Sequence, residues 1–327
     1  MTQHTLDEIE ALTREALLAH GAGPFPAAEV ARAVRSAESY GNRICGLYYV
    51  ESYCLQLASG RVAGQAEPIV TRKREAAVHV DACYGFAQPA FTHGLVAAVD
   101  AARRFGVATL AVGHAHTCTS LGYFTEAIAA KGLIGFGFTN ASPIVAPPGG
   151  KTRVIGTNPI AFSVPDGQGG LAMHMDQSTT TVALGKITMA KAAGEKIPEG
   201  WAVDSQGHPT TDPAAALEGS LVSVGAYKGW GFGLLAEVCA AALTGSALSC
   251  NVEPLKHPHG KPHNLGQYYI LIDPAAADGF AARLEKLAEV VAQDAGARLP
   301  GQGRKPMELV DVVPAVWVRL EELARAG

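Results

Sequence analysis

The chain has 327 residues, 48% of them apolar and 17% charged, with a formal net charge of −4. That length holds one large or two ordinary domains with a full core, and the composition is that of a globular, enzyme-like chain. No Lys/Arg run favours nucleic acid or an anionic membrane surface, the N-terminal MTQHTLDEIE lacks the basic and apolar parts of a signal peptide, and no run of about 18 apolar residues spans a membrane.

Thr5 is a candidate N-cap, with Asp7 and Glu8 behind it and Leu6, Ile9, Leu12 and Ala16 at helical spacing. Gly21–Pro26 breaks that helix; a second is predicted from Ala27 to Tyr40 and a third from Leu47 to Ala58. Residues 76–82 alternate like a strand, Gln88–Arg104 reads as a helix and Val107–Val112 as a buried strand. The loop GHAHTCTS leads into a helix over about 121–130 and a short strand, Leu133–Thr139. Further on come a helix over Val182–Ala193, a turn-rich stretch over Gly194–Leu217, and an apolar helix from Lys228 to Thr244. A surface loop over 250–265, a strand over Gln267–Asp273 and helices near 276–294 and 314–325 close the chain. The alternation predicts an α/β fold. The expected division is a helical N-terminal module (1–70), an α/β cofactor- and substrate-binding region (71–305), and a C-terminal helix (306–327) packing on the first module. Six cysteines, Cys45, Cys54, Cys83, Cys118, Cys239 and Cys250, have no CxxC spacing and read as reduced, cytoplasmic thiols.

The densest polar chemistry falls in residues 136–186. Thr139-Asn140 and Thr157-Asn158 bracket the loop Pro147-Pro148-Gly149-Gly150, and an apolar strand ends in Asp176-Gln177-Ser178. Short polar side chains and glycines at strand ends form ligand cradles. Neither GxGxxG after a strand nor GxxxxGK[ST] is present; Gly229-Trp230-Gly231-Phe232-Gly233 has the wrong spacing for a Rossmann loop. His257, His259 and His263 sit in a Pro/Gly-flanked loop without the partners of a zinc site, so no metal is expected. His114 and His116 follow a strand, where α/β proteins place ligands, although loop packing explains them equally well. Asp176 either caps a helix or orients a substrate. Lys228 at a helix start suits a phosphate or carboxylate.

Several strings together resemble the malate/L-lactate dehydrogenase family that is distinct from the Rossmann-type enzymes: TNASPIVAPPGG, GTNPIAFSVP, GEKIPEGWAVDSQGHPTTDP, YKGWGFGLLAEV, LGQYYILIDP and ARLPGQG, in order over about residues 30–305. The resemblance implies a non-Rossmann NAD(P)-binding α/β fold with a mixed sheet, a homodimer, and hydride transfer from NADPH or NADH to C2 of a small carboxylate. It places Asn140, Thr157, Asn158, Asp176, Ser178, Lys228, Gly229 and Arg304 at or near the cofactor. The loop over 114–117 would face the nicotinamide, with His114 and Thr117 as further contacts; His116 or Thr117 stands in the place of the family's loop histidine, and His116 is the expected catalytic residue.

One departure matters. Family members carry Ser-His-Gly followed three residues later by Arg; here Ile44 and Cys45 stand at the Ser-His positions and Tyr49 at the arginine, while a shifted frame gives Ser39-Tyr40-Gly41 with Arg43 nearby. Cys45 is a weak proton donor at neutral pH, and Tyr40, Tyr48 or Tyr49 offers a phenol instead. Loss of a general acid slows ketone reduction by roughly two to four orders of magnitude, whereas a cyclic imine arrives already protonated on nitrogen. The expected activity is therefore reduction of a Δ1-piperideine- or Δ1-pyrroline-2-carboxylate type of imino acid, with His116, Asp176, Cys45 and Tyr49 as candidate catalytic residues. The alternatives are a 2-oxo acid/2-hydroxy acid dehydrogenase and a catalytically silent cofactor-binding protein.

Overall fold

The computed structural model describes residues 1–326. It opens with strand β1 (Thr2–Thr5) and helices α1 (Leu6–Ala19), α2 (Pro24–Ser39) and α3 (Leu47–Ala58). Thr5 and Glu8 form a reciprocal capping box, so two N–H groups that a helix start would otherwise leave orphaned are satisfied. Helix α2 begins three residues before the Ala27 that apolar spacing predicts, because Pro24 and Pro26 occupy its first turn, where a missing N–H is no loss.

Next come the hairpin β2 (Ile69–Arg74) and β3 (Ala77–Asp81), helix α4 (Ala87–Phe105), β4 (Val107–Ala115), α5 (Gly122–Ala129) and β5 (Ile134–Thr139). Beyond the cradle loop lie β6 (Ile160–Pro165), β7 (Leu171–Gln177) and α6 (Leu184–Ala193). The predicted turn-rich stretch contains β8 (Ala202–Val203), β9 (Pro209–Thr210) and α7 (Pro213–Glu218), followed by β10 (Ser220–Leu221). Helix α8 (Tyr227–Glu237) then widens into a π turn over Val238–Ala242, where a single helix to Thr244 was expected. The physical reason lies at its end: Thr244 Oγ1 donates to the Ala240 carbonyl, and a side-chain donor competing for a helix carbonyl loosens the turn. Strand β11 (Leu265–Ile272), helix α9 (Phe280–Val291), strand β12 (Leu309–Val312) and helix α10 (Pro314–Arg325) complete the chain.

The main sheet has the order β2-β3-β4-β11-β5-β6-β7, and every neighbouring pair is antiparallel except β3 with β4. It is a mixed sheet and not the doubly wound parallel sheet of a Rossmann fold. Helices α4 and α5 cover one face, where Phe91, Phe124 and Tyr269 meet with ring centroids 4.9–5.8 Å apart. Such tilted and edge-to-face contacts add about 0.5–1.5 kcal/mol each beyond area burial. A second core joins α1, α2 and α3 to α10 through Ile9, Val30, Tyr53, Leu320 and Leu323, and the antiparallel pair β1–β12 ties the two chain ends together. A third, smaller core gathers Val145, Ile155, Ile187 and Leu221 beneath the cradle loop.

The π turn lies against β11 at a bulge between Leu265 and Gln267. There Gly266 donates its N–H to Asn140 Oδ1 at 3.2 Å and accepts from Thr139 Oγ1 at 2.9 Å. A Cβ on Gly266 would strike the Ala240 carbonyl and the Thr244 hydroxyl. Because the first obstacle is backbone, nothing yields cheaply. Gly266→Ala should therefore lower the unfolding free energy by about 3 kcal/mol in urea titration. A loss below about 0.5 kcal/mol would mean that this junction is slack.

Candidate active site

Asp176 closes β7, paired with Ala161 of β6, and turns its carboxylate toward the start of α5. Asp176 Oδ2 accepts from the Gly122 N–H at 2.7 Å and from Ser120 Oγ at 3.3 Å. A Cβ on Gly122 would lie 2.9 Å from the Asp176 Cβ and 2.8 Å from His174 Cε1, so glycine permits the close approach of helix and strand. Burial raises the Asp176 pKa above the usual carboxylate range, opposed by the Gly122 N–H, Ser120 and Arg304. Asp176 thus caps a helix, but α5 on the neighbouring strand connection and not the helix that follows it in sequence.

Around this carboxylate stand thiols and phenols that are firmly protonated. Burial, reinforced by Asp176, pushes the Cys45 thiol up to about 11 and the Cys118 thiol up to about 12. Burial likewise pushes up the phenols of Tyr49, Tyr53 and Tyr269. The Tyr49 and Tyr269 hydroxyls are buried without a hydrogen-bond partner among the described residues.

On the other side of α5, Arg304 pairs with Glu126, and its guanidinium lies 3.4 Å from the centroid of the Tyr40 ring. Glu126 also meets His174 Nε2 at 3.1 Å, and His174 Nδ1 lies 2.9 Å from Ser163 Oγ. Burial, then Arg304, brings the His174 pKa down to about 4. Tyr40, Glu126 and Arg304 line a cavity of about 520 Å³ with Arg32, Tyr123 and Gly303. Sequence reasoning singled out Arg304 but not Glu126 or His174. The signal for His174 was its place two residues before Asp176 on one strand, hence on the same face.

The two candidate histidines of the β4 loop diverge. His114, in the left-handed region (φ 51°), pairs through Nδ1 with Asp81 Oδ1 at 3.0 Å and donates its N–H to Ser246 Oγ. His116 is enclosed at 1% exposure. Its Nε2 meets Gln56 Oε1 at 2.6 Å, which makes it the donor, and its ring stacks on His263 with centroids 3.9 Å apart. Burial, then His263, holds the His116 pKa well below the ordinary histidine value. His116 is thus a neutral imidazole. Thr117 donates its backbone N–H to His263 Nδ1.

The cradle asparagines are also engaged internally. Asn140 donates to the Ala247 carbonyl at 2.8 Å and accepts from Gly266. Asn158 donates to the Gly233 carbonyl and to Glu237 Oε2, fastening β6 to α8. Gly229 packs against the Val224 carbonyl so closely that no side chain fits. Ser178 shares a hydrogen bond with Thr180, and the Thr157 carbonyl accepts from Thr179. Lys228, exposed in the first turn of α8, makes no salt bridge among the described residues. Beside that turn lies a cavity of about 390 Å³ between Pro147–Gly150 and the stretch Val222, Ser223 and Ala226. Ser223 lines it, and its buried hydroxyl has no hydrogen-bond partner among the described residues.

The family described as malate/L-lactate dehydrogenase matches residues 4–308. The chain belongs to this oxidoreductase family. It is 38% identical to a (2R)-3-sulfolactate dehydrogenase (NADP(+)) of Chromohalobacter salexigens, over 92% of this chain and 90% of that one. It is 36% identical to a Δ1-pyrroline-2-carboxylate/Δ1-piperideine-2-carboxylate reductase of Pseudomonas syringae pv. tomato, over 96% of this chain and 94% of that one. The crystal structure of Δ1-piperideine-2-carboxylate reductase from Pseudomonas syringae pv. tomato matches with a TM-score of 0.90 at 34% identity, covering 99% of this chain and 100% of that chain.

The raised pKa of Asp176 gives a test with a definite sign. A carboxyl whose folded pKa lies above its unfolded value favours folding while protonated and loses that advantage as pH rises through the folded value. Asp176→Asn keeps an acceptor for Gly122 and removes the charge. Its stability at pH 7 should equal or exceed that of the wild type by up to about 1 kcal/mol, the difference vanishing toward pH 3, while turnover falls by at least about 100-fold. Parallel urea titrations and initial rates across this range check both halves. A variant that loses more than about 2 kcal/mol at pH 7 would make the charge structural.

Proposed function

We propose that the chain is an NADPH-dependent reductase of a small cyclic imino acid, of the Δ1-pyrroline- or Δ1-piperideine-2-carboxylate type. The observation that carries this reading is the protonation chemistry around Asp176. Burial keeps Cys45, Cys118, Tyr49 and Tyr53 in their neutral forms and His116 neutral and enclosed, which leaves Asp176 as the group among them suited to carry negative charge. A carbonyl substrate needs a proton delivered to the oxygen that becomes anionic. A cyclic iminium carries its proton in, and the Asp176 carboxylate is suited to hold that positive nitrogen in place. The apolar and phenolic surroundings exclude water and strengthen the pairing. The relatives named as imino acid reductases support the same substrate class.

The cavity beside α8, of about 390 Å³, has room for part of a nicotinamide dinucleotide. The Ser223 hydroxyl, without a partner among the described residues, the nearby Lys228 ammonium and the start of an eleven-residue helix offer donors and positive potential to a phosphate. Lys228, Ser223, Thr157 and Ser178 would hold the cofactor, which when bound supplies the hydride. Asn140, Asn158 and Gly229 act by shaping this cradle and not through free side chains. The preference for NADPH draws on the NADP(+) in the name of the sulfolactate dehydrogenase relative. That relative also favours a second reading, reduction of a 2-oxo acid, with Asp176 as the acid by virtue of its raised pKa. Six free cysteines suit a cytoplasmic setting. We also infer a homodimer, in which a second copy covers Phe232, Leu235, Val238 and Leu243, each 45–55% exposed along α8 and the π turn.

The experiment is NADPH and NADH oxidation by the purified protein with Δ1-piperideine-2-carboxylate, Δ1-pyrroline-2-carboxylate, pyruvate and oxaloacetate between mildly acidic and mildly basic pH. Expected are turnover of the imines with NADPH and a decline as pH rises and the iminium loses its proton. Turnover confined to the 2-oxo acids would overturn the imine reading. For the dimer, Phe232→Glu should convert a sedimenting dimer into a monomer; a wild type that sediments as a monomer at micromolar concentration would refute it.

A further inference from the structure

We propose that Lys256 binds the carboxylate of the substrate, which makes the loop over 253–263 part of the active site. The proposal rests on the small-carboxylate substrate class proposed above. A carboxylate that enters a largely buried site surrenders its hydration and requires a cation or fixed donors in exchange. Cations whose charge bears on the groups around Asp176 include Arg304, Arg61 and Lys256. Arg304 is committed to Glu126 and the Tyr40 ring. Arg61 spends Nε on the Lys261 carbonyl and Nη1 on those of Pro254 and His257; its Nη2 has no hydrogen-bond partner among the described residues, but at 2% exposure the side chain is walled off from an entering ligand.

Lys256 is different. Its ammonium lies 3.8 Å from the ring centroid of Tyr48 and 5.2 Å from that of Tyr49, and makes no salt bridge among the described residues. The backbone on both sides of it is fastened to α3. Gln56 Nε2 donates to the Leu255 carbonyl at 2.7 Å and to that of His257 at 2.8 Å, and Ser59 Oγ donates to that of Pro258. Gln56 is itself fixed by His116. A cation on so anchored a backbone is held over the first turn of the same helix, whose positive end adds to its field. In that turn the Tyr49 hydroxyl, buried and unpartnered, is a second donor awaiting an acceptor. Geometry joins this turn to Asp176: the Tyr49 and Tyr53 rings lie 5.0 Å apart, the Tyr53 hydroxyl donates to Thr119 Oγ1 at 3.4 Å, and the next residue, Ser120, donates to Asp176. In this arrangement the imine nitrogen addresses Asp176, and the carboxylate addresses Lys256 and Tyr49.

The competing role for Lys256 is purely structural, a cation resting on two aromatic rings. The two roles separate in a binding experiment that does not depend on turnover. Pyrrole-2-carboxylate and pyrrole-2-carboxamide, planar rings of the same size in which a neutral amide replaces the anion, are titrated calorimetrically into the full-length protein with saturating NADPH. Wild type should prefer the carboxylate by about 10- to 100-fold, as a charge-assisted hydrogen bond implies. Lys256→Met, which keeps an unbranched chain against the rings, should bind both equally, and Lys256→Arg should restore most of the preference. A preference that persists in Lys256→Met, or a wild type without one, would overturn the proposal. The reductase reading fails separately. A protein that selects the carboxylate through Lys256 yet reduces no cyclic imine refutes that reading alone, whereas imine reduction with an unchanged KM in Lys256→Met refutes the role of Lys256 alone.

Discussion

The contact on which the site depends is a carboxylate answering the first N–H groups of a helix that belongs to another part of the chain. Asp176 leaves β7 and receives Gly122 and Ser120 at the head of α5. In water such a bond is worth little. Under burial it becomes compulsory, because a carboxylate or a helix-end N–H left without a partner away from water is costly. It joins β7 at one edge of the sheet to the β4–α5 connection, and thereby brings the neighbourhoods of Cys45, Cys118 and Arg304 to one place.

The same logic of obligatory polar pairing explains what the family strings encode. Asn140 locks the end of β5 to the β11 bulge, and Asn158 locks β6 to α8. Gly266 and Gly229 allow backbones to touch. These residues look like ligand contacts in sequence because they are short, polar and at strand ends. In the fold their side chains are consumed in building the cradle. In the reading proposed above, function falls to their neighbours, Lys228 and Ser223 on one side and Asp176 on the other.

Much of the architecture was legible in the sequence wherever a period and a stop signal agreed. The third helix runs from Leu47 to Ala58 as its spacing and Gly60 predict, and β5 and the closing helix lie within a few residues of their expected bounds. Strand β2 escaped because every residue in it is exposed, so there is no alternation to read. Strands β1 and β12 escaped because each is four residues long and exists only by pairing with the other across the whole chain. Of the site, Asp176 was legible as an acid after an apolar strand, but whether it capped or catalysed depended on α5, 54 residues away in sequence. His116 carried the motif-like signal and turned out to be enclosed, since burial is a property of what folds over a loop, here His263 and Gln56. Glu126, His174 and Lys256 gave no motif at all; they matter through partners that only the tertiary structure supplies.

The π turn over Val238–Ala242 has a consequence for how this fold tolerates change in length. Such a turn holds one residue more than an α-helix needs, and one residue in a helix amounts to about 100° of rotation. Deleting one position between Glu237 and Thr244 would let the α-helix run on unbroken. It would also swing Lys228 and the rest of α8 around the axis relative to the sheet, away from the cradle. The extra residue therefore acts as a register pin, and the segment accepts substitution far more readily than it accepts shortening.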